Sequence, residues 1–510
     1  MNIGTRIKKG EYWYGGVVSE GYKMPFGFKV FKRINISRSR SNNQTASFLV
    51  SNKGRYIWCE EGMTVTVTLG YMIVESRGNA QIYFEDNLGT LKHAYLKAVD
   101  TFFRPSGKMP DENSFRYPQY STWMAYGTEQ SERNILNYAE GLLKAGLPSG
   151  ELIIDDGWQS DFGDWNFDIL KFENPKKMIE MLKKLGFEIV LWVVPFVSKN
   201  SKNFQYLADN NLLVRDSTGA IAMRKWWRGT SAVIDFSNPE AVEWFMENLN
   251  RLKDSYGVDG FKFDAGDARY YRDDDRTYGN VSAVRQSYFW AELAEAFAYS
   301  EVRASFNNGG QGFISRISDR MPTWSKRHGV GSLIPEALAQ GIIGHPFSCP
   351  DMIGGGIIQF ANGVKKRDRE FMIRCVQCAA LMPAMQFSLP VWEISKEFTE
   401  KLKATLDKRE KFVDYIIELA KDSAKTGEPI MRYMEYGYPN QGLETVTDQF
   451  LLGDKYIVAP VLKKLQRKRD IYLPGGYYWK NLLNDQVYKG GQAIEVRAGI
   501  DDLPVMERID

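Results

Sequence analysis

The spacing of apolar positions changes twice along this chain. Up to about residue 104, apolar residues come in short β-branched and aromatic runs: Phe26–Phe31, Ala46–Val50, Thr64–Leu69, Tyr71–Val74 and Ala80–Phe84. Turn clusters at Arg40–Asn43 and Ser51–Gly54 separate them. Such runs read as strands, and no three-turn helix is expected before Lys92–Phe103. Residues 1–104 therefore predict a β-sandwich. From 105 to 425, short apolar runs that read as strands alternate with amphipathic stretches of helical period. Expected strands are Ser121–Tyr126, Glu151–Asp155, Glu188–Val194, Gly260–Asp264, Arg303–Asn307, Phe347–Asp351 and Ala384–Ser388. Expected helices include Ser131–Ala145, Pro175–Leu185, Pro239–Tyr256 and Val281–Tyr299. Repeated βα units call for a parallel sheet. This many over some 300 residues, with no GxGxxG after the first strand, favour a closed (β/α)8 barrel over a dinucleotide fold. Residues 426–510 return to strand period, with turns at Pro474–Gly476 and Gly490–Gly491, and predict a second β-sandwich. The expected fold class is α/β, a TIM barrel flanked by two sheet domains.

Several expected barrel strands close on polar or aromatic residues: Asp155 and Asp156 in IIDDGW, Trp192 in LWVVPF, Asp264 in FKFDAGD and Asp351 in CPDMIGG. Barrel active sites sit at the C-terminal ends of the strands, so these side chains should line one polar pocket suited to hydroxyl groups. In FKFDAGD, alternation puts Lys262 and Asp264 on one face and Phe261 and Phe263 on the other. A buried structural Lys–Asp pair is the alternative reading. Lys262 beside Asp264 would favour the ionised carboxylate, as a glycosidase nucleophile requires. The partner acid must be protonated, in a less positive and partly apolar setting. Asp319, in the segment Ser315–Trp324, is one such acid among several.

The chain carries 66 basic and 63 acidic residues, a formal charge of +3, which gives no field pointing to nucleic acid or an anionic membrane. Three histidines without an HExxH spacing argue against zinc; a magnesium site on Asp155, Asp156 and Asp264 stays an alternative. No cofactor is expected. Four cysteines make no disulfide framework, and Cys375 and Cys378, on one apolar run, read as buried thiols. No signal peptide or apolar span is visible, so a soluble cytoplasmic protein is the expectation. Association with further copies of the chain stays open.

The ordered blocks STWMAYG (121–127), IDDGWQSDFGDWNFD (154–168), LWVVPFV (191–197), WWRGTSAVIDFSNPEA (226–241), FKFDAGD (261–267), SLIPEALAQGIIGHPFSCPDMIGG (332–355) and DQFLLGDKYIVAPVLKK to RDIYLPGGYYWKN (448–481) carry a resemblance. The chain resembles glycoside hydrolase family 31, in the branch of the myogenesis-regulating glycosidase and related bacterial α-galactosidases. The likeness covers the barrel and the C-terminal region and fades over the first 100 residues. It implies a retaining hydrolase with Asp264 as nucleophile and Asp319, in an R-x-x-D-R segment, as acid/base. It further implies Arg303 as support of the acid/base, Asp155 and Asp156 as holders of sugar hydroxyls, Trp123 and Trp227 as subsite aromatics, and Lys262 as a contact beside the nucleophile. Trp192 and Asp351 are expected to line the pocket. In a retaining enzyme the two carboxyl groups lie about 5–5.5 Å apart. The α-glucosidase motif W-x-D-M-N-E is absent, and the strings DDGWQ and GDW resemble those of α-galactosidases from a neighbouring barrel clan, which favours galactose. Asp267 stands where this branch usually has glutamate. The loop Arg269–Arg276 is either a wall of the aglycone site or a solvated loop. The alternatives are an α-glucosidase or other α-glycosidase of the family, or a non-catalytic carbohydrate-binding protein.

Overall fold

Eight parallel strands make the central sheet: β1 (Gln119–Ser121), β2 (Glu151–Ile154), β3 (Glu188–Val193), β4 (Gly260–Phe263), β5 (Tyr299–Val302), β6 (Ile314–Arg316), β7 (Ser348–Cys349) and β8 (Gln386–Phe387). Their order is β7-β6-β5-β4-β3-β2-β1-β8. The remaining seam, between β7 and β8, is stitched by Ala384 N donating to Ser348 O (3.1 Å) and Ile353 N to Gln386 O (2.8 Å), which closes the barrel. The structure, a computed structural model, describes residues 1–36, 41–362 and 367–509; the turn cluster expected at Arg40–Asn43 begins outside them.

Alternation along β4 acts as expected. Phe261 and Phe263 point out against Phe297 and Trp290, with ring centroids 4.8 and 5.0 Å away. Lys262 faces the barrel interior, in register with Trp192 of β3 and Glu301 of β5. The helix Pro239–Tyr256 feeds β4. Asn238 caps it by accepting from Glu240 N (3.0 Å), proline opens it, and left-handed Gly257 ends it.

The first 90 residues form two antiparallel sheets. One has the order Asn2–Arg6, Tyr71–Ser76, Met63–Thr68, Lys32–Asn35; the other Phe26–Gly27, Tyr12–Val17, Thr45–Ser51, Arg55–Cys59, Ile82–Glu85. Tyr12–Val17 escapes the sequence pattern because Gly15 and Gly16 interrupt it. Gly15 has φ +107°, and a Cβ there would meet Phe48 O at 2.5 Å, so the strand can pass only as glycine. After the helix Lys396–Thr426, a six-stranded and a two-stranded sheet complete the C-terminal region. Within it Arg469 is buried and donates to the carbonyls of Pro460 and Asp448.

Two of the expected barrel strands differ, and one observed strand had no expected counterpart. The strand read as Ser121–Tyr126 stops at Ser121 and turns into the short helix Trp123–Tyr126, because Ser121 Oγ accepts from Trp123 N (3.2 Å). The stretch Arg303–Asn307 is not a barrel strand. The strand ends at Val302, and Phe306 crosses into the core of the N-terminal sheets. Ile314–Arg316, not expected, is a strand. All four cysteines are buried and unpaired. Among the described residues, no helix is long and apolar enough to cross a membrane.

Candidate active site

The C-terminal ends of the barrel strands surround a cavity of about 750 Å³. Asp155, Asp156, Trp123, Trp192, Trp227, Lys262, Asp264, Arg303 and Asp319 all line it, and so do Arg228, Arg316 and Asn42. Nine of the ten predicted site residues thus converge. The tenth, Asp351, does not reach the cavity. Its fully buried carboxylate sits behind the wall, accepting from Arg316 Nη1 (2.8 Å) and Arg320 N (2.8 Å), because Arg316 stands between it and the opening.

Asp264 follows β4 and is held on all sides. Oδ1 accepts from Ala265 N (2.7 Å) and from Arg303 Nε; Oδ2 accepts from Trp192 Nε1 (3.0 Å). The turn behind it is tight. Ala265 and Gly266 both have positive φ, and a Cβ on Gly266 would overlap the Trp290 ring at 1.9 Å. Burial alone would raise the Asp264 carboxyl. The charges of Arg303, Arg316 and Lys262 and the Trp192 N–H outweigh it and hold the group well below the usual carboxylate range. It therefore stays ionised through mildly acidic pH.

Lys262 contributes that charge from a distance, since its ammonium bonds Asp155 Oδ2 (2.8 Å) and lies 3.9 Å from Glu301. Asp155 also accepts from Ser121 Oγ (2.9 Å) and from Asp156 N (2.9 Å). Asp156 is different. Neither of its carboxyl oxygens accepts a hydrogen bond from the protein, and Arg228 Nε approaches only to 3.4 Å. Burial, partly opposed by Arg228, pushes its carboxyl up to about 7. Lys262 already supplies the local cation beside Asp155. Among the described residues, no group of three or more His, Cys, Asp or Glu is placed to hold a metal.

Asp319 lies in the loop after β6 with its side chain 40% exposed. The arginine beside it is not Arg303 but Arg316, whose Nη1 donates to Asp319 Oδ1 (2.9 Å) and whose Nε donates to Glu301 (2.8 Å). Arg303 instead serves Asp264 and grips Asp267 with Nη1 (3.2 Å) and Nη2 (2.9 Å). The expected less positive setting for Asp319 is thus corrected, but Arg316 divides its charge among Glu301, Asp319 and Asp351. Arg316 was legible only as the first letter of R-x-x-D-R; Ile314-Ser-Arg-Ile317 shows no period-two alternation that would have marked it as the end of a strand.

Trp227 is 45% exposed at the rim, on the tip of the hairpin made by Arg224–Trp226 and Gly229–Val233. Trp123 is fixed by its Nε1 donating to Gly356 O (3.0 Å). Of the loop Arg269–Arg276, only Arg269 lines the cavity; Tyr270 and Tyr271 are buried, and Asp275 pairs with Arg224.

Burial also lifts Glu151, at the start of β2, to about 7. Glu151 and Asp156 thus keep a proton in the fold from about pH 4, where unfolded carboxyls titrate, up to about 7. Across that window the native state binds more protons, so stability falls as pH rises and levels off above it. Melting curves should give a higher Tm at pH 6 than at pH 8, with Glu151→Gln reducing the difference.

Residues 108–419 match the model of the glycosyl hydrolases family 31 TIM-barrel domain, and residues 427–510 that of the glycosyl hydrolase family 31 C-terminal domain. The myogenesis-regulating glycosidase of Mus musculus is 36% identical over 422 residues, 81% of this chain and 58% of that protein. The alpha-xylosidase XylQ of Lactiplantibacillus pentosus is 25% identical over 496 residues, 90% of this chain and 62% of that protein. The chain thus spans about three fifths of the length of these relatives. A dextranase of Flavobacterium johnsoniae, solved with glucose, superposes with a TM-score of 0.87 at 20% identity, over 99% of this chain and 66% of that one. At that identity the last likeness speaks to the fold.

Proposed function

The chain belongs to glycoside hydrolase family 31, and on that premise we propose that it is a retaining, exo-acting α-glycosidase releasing terminal α-galactosyl residues from small oligosaccharides or glycoconjugates. The observation that carries this reading is the convergence of Asp264 and Asp319 on one cavity in different settings, one held ionised by Arg303 and one half-open to solvent. Asp264 attacks the anomeric carbon as the glycosidic C–O bond breaks, and Asp319 gives its proton to the departing oxygen. Asp319 then takes a proton from water, whose oxygen displaces Asp264 and restores the α configuration.

Exo action fits a pocket lined by the buried Asp155, Asp156 and Lys262. Asp156, whose two carboxyl oxygens accept no hydrogen bond from the protein, is suited to reading sugar hydroxyls. Galactose is favoured by the DDGWQ and GDW strings and by the missing α-glucosidase motif. A second reading, an α-xyloside or another α-glycoside, is supported by the likeness to XylQ. A panel of p-nitrophenyl α-glycosides separates the two. The galactoside should be turned over fastest, and the first-formed product should be the α-anomer by proton NMR. Preference for the xyloside or glucoside would overturn galactose, and a β-anomer would overturn retention.

A further inference from the structure

Residues 42–45, from the N-terminal sheets, run across the mouth of the barrel and bond to both halves of the site. Thr45 opens the strand Thr45–Ser51 and forms a parallel bridge with Phe306, beyond β5: Thr45 N donates to Ser305 O (2.9 Å) and Asn307 N returns a bond to Thr45 O (2.9 Å). Gln44 is fully buried. Its Nε2 is shared among the carbonyls of Val302 (3.2 Å), Arg303 (2.8 Å) and Arg316 (3.0 Å), while its Oε1 accepts from Gln340 (2.9 Å). One side-chain amide therefore ties the end of β5 to the end of β6. Asn43 Oδ1 accepts from the backbone N–H of Ser318 (2.6 Å), the residue before Asp319. Asn42 lines the cavity, and its carbonyl accepts from Arg303 Nη1 (2.6 Å).

We infer that Asn42–Gln44 is a positioning strap that sets the placement of the Asp264 carboxylate relative to Asp319, an inference that rests on the roles proposed above for these two acids. A strap serving only to glue two domains could bond anywhere on the barrel. This one bonds the arginine that pairs with Asp264, the strand ends carrying Arg303 and Arg316, and the turn that carries Asp319. Placement matters steeply, since an error of about 1 Å in a reacting group can cost on the order of 100-fold. None of the three residues touches the reacting atoms by this reading; they act through Arg303, Ser318 and the backbone at the ends of β5 and β6.

The test uses the full chain with Asn43→Ala and Gln44→Met. Asn43→Ala removes only the anchor of the Asp319 turn. Its kcat/KM on an α-galactosyl disaccharide should fall roughly tenfold more than on α-galactosyl fluoride, whose leaving group needs little proton assistance. Gln44→Met loosens both strand ends and should lower both substrates together, mainly in kcat. If Gln44→Met does not fold, the Asn43→Ala split decides alone. Hydrogen exchange at the Ser318 amide gives a readout independent of turnover, and it should quicken about tenfold in Asn43→Ala. Equal losses on the two Asn43→Ala substrates, or an unchanged Ser318 exchange rate, would overturn the strap. If the wild type hydrolyses no α-glycoside, or Asp264→Asn keeps full turnover, the catalytic reading and the strap's purpose fall together. The Ser318 exchange rate then still reports whether the mechanical link exists.

Discussion

Asp264→Asn should abolish turnover, with kcat lowered by roughly 10⁴-fold or more, the scale seen when a covalent nucleophile is removed. That loss corresponds to about 5.5 kcal/mol of barrier. The amide cannot attack the anomeric carbon, yet it keeps the shape that packs against Trp192 and Ala265. The fold should survive because Arg303 is not stranded: Asp267 holds it through two nitrogens, and Asn42 O accepts from it as well. Circular dichroism and Tm close to wild type, together with lost hydrolysis, would fit the assignment. The shorter Asp264→Ala leaves room for azide and should form a β-glycosyl azide from the α-glycosyl fluoride, because one displacement replaces two. Full hydrolysis by Asp264→Asn would remove this residue from the mechanism.

Asp319→Ala should behave differently. General acid assistance is worth about 10² to 10⁴-fold, and the loss should grow as the leaving group becomes more basic. A disaccharide should lose most and a glycosyl fluoride least. Azide should now trap the glycosyl-enzyme from the opposite face and give an α-glycosyl azide, so the two variants are told apart by product stereochemistry. Here too the arginine keeps partners, since Arg316 remains bound to Glu301 and Asp351. An equal loss for every leaving group would argue that Asp319 positions substrate and does not transfer the proton.

Both predictions share a structural feature. Each reactive carboxylate sits on an arginine that a second, deeper carboxylate also holds, Asp267 for Arg303 and Glu301 with Asp351 for Arg316. An arginine anchored in this way keeps its geometry while the outer carboxylate changes charge during the reaction. Asp267, one methylene shorter than glutamate, is fully buried and still reaches both terminal guanidinium nitrogens, Nη1 and Nη2.

The chain's own pattern was enough for the barrel and for most of its pocket. Short apolar runs that close on polar or aromatic residues marked β2, β3 and β4, and because strand alternation and strand ends are local properties, they placed Asp155, Asp156, Trp192, Lys262 and Asp264 on the inner, C-terminal side before any packing was known. Pairings between distant segments were not local and could not be read. Whether Arg303 or Arg316 stands beside Asp319 depends on how far each strand runs before it leaves the sheet. That length is decided by tertiary partners: Phe306 is drawn into the N-terminal core, so β5 ends at Val302 and turns Arg303 toward Asp264. Asp351 looked like its fellow strand-end acids, and only the fully buried Arg316 in front of it removes it from the cavity. The same holds for Asn42–Gln44, polar residues in an unremarkable turn, whose bonds to β5 and β6 span more than 250 residues of chain. Local period decides which face a side chain takes; long-range packing decides which charge it meets there.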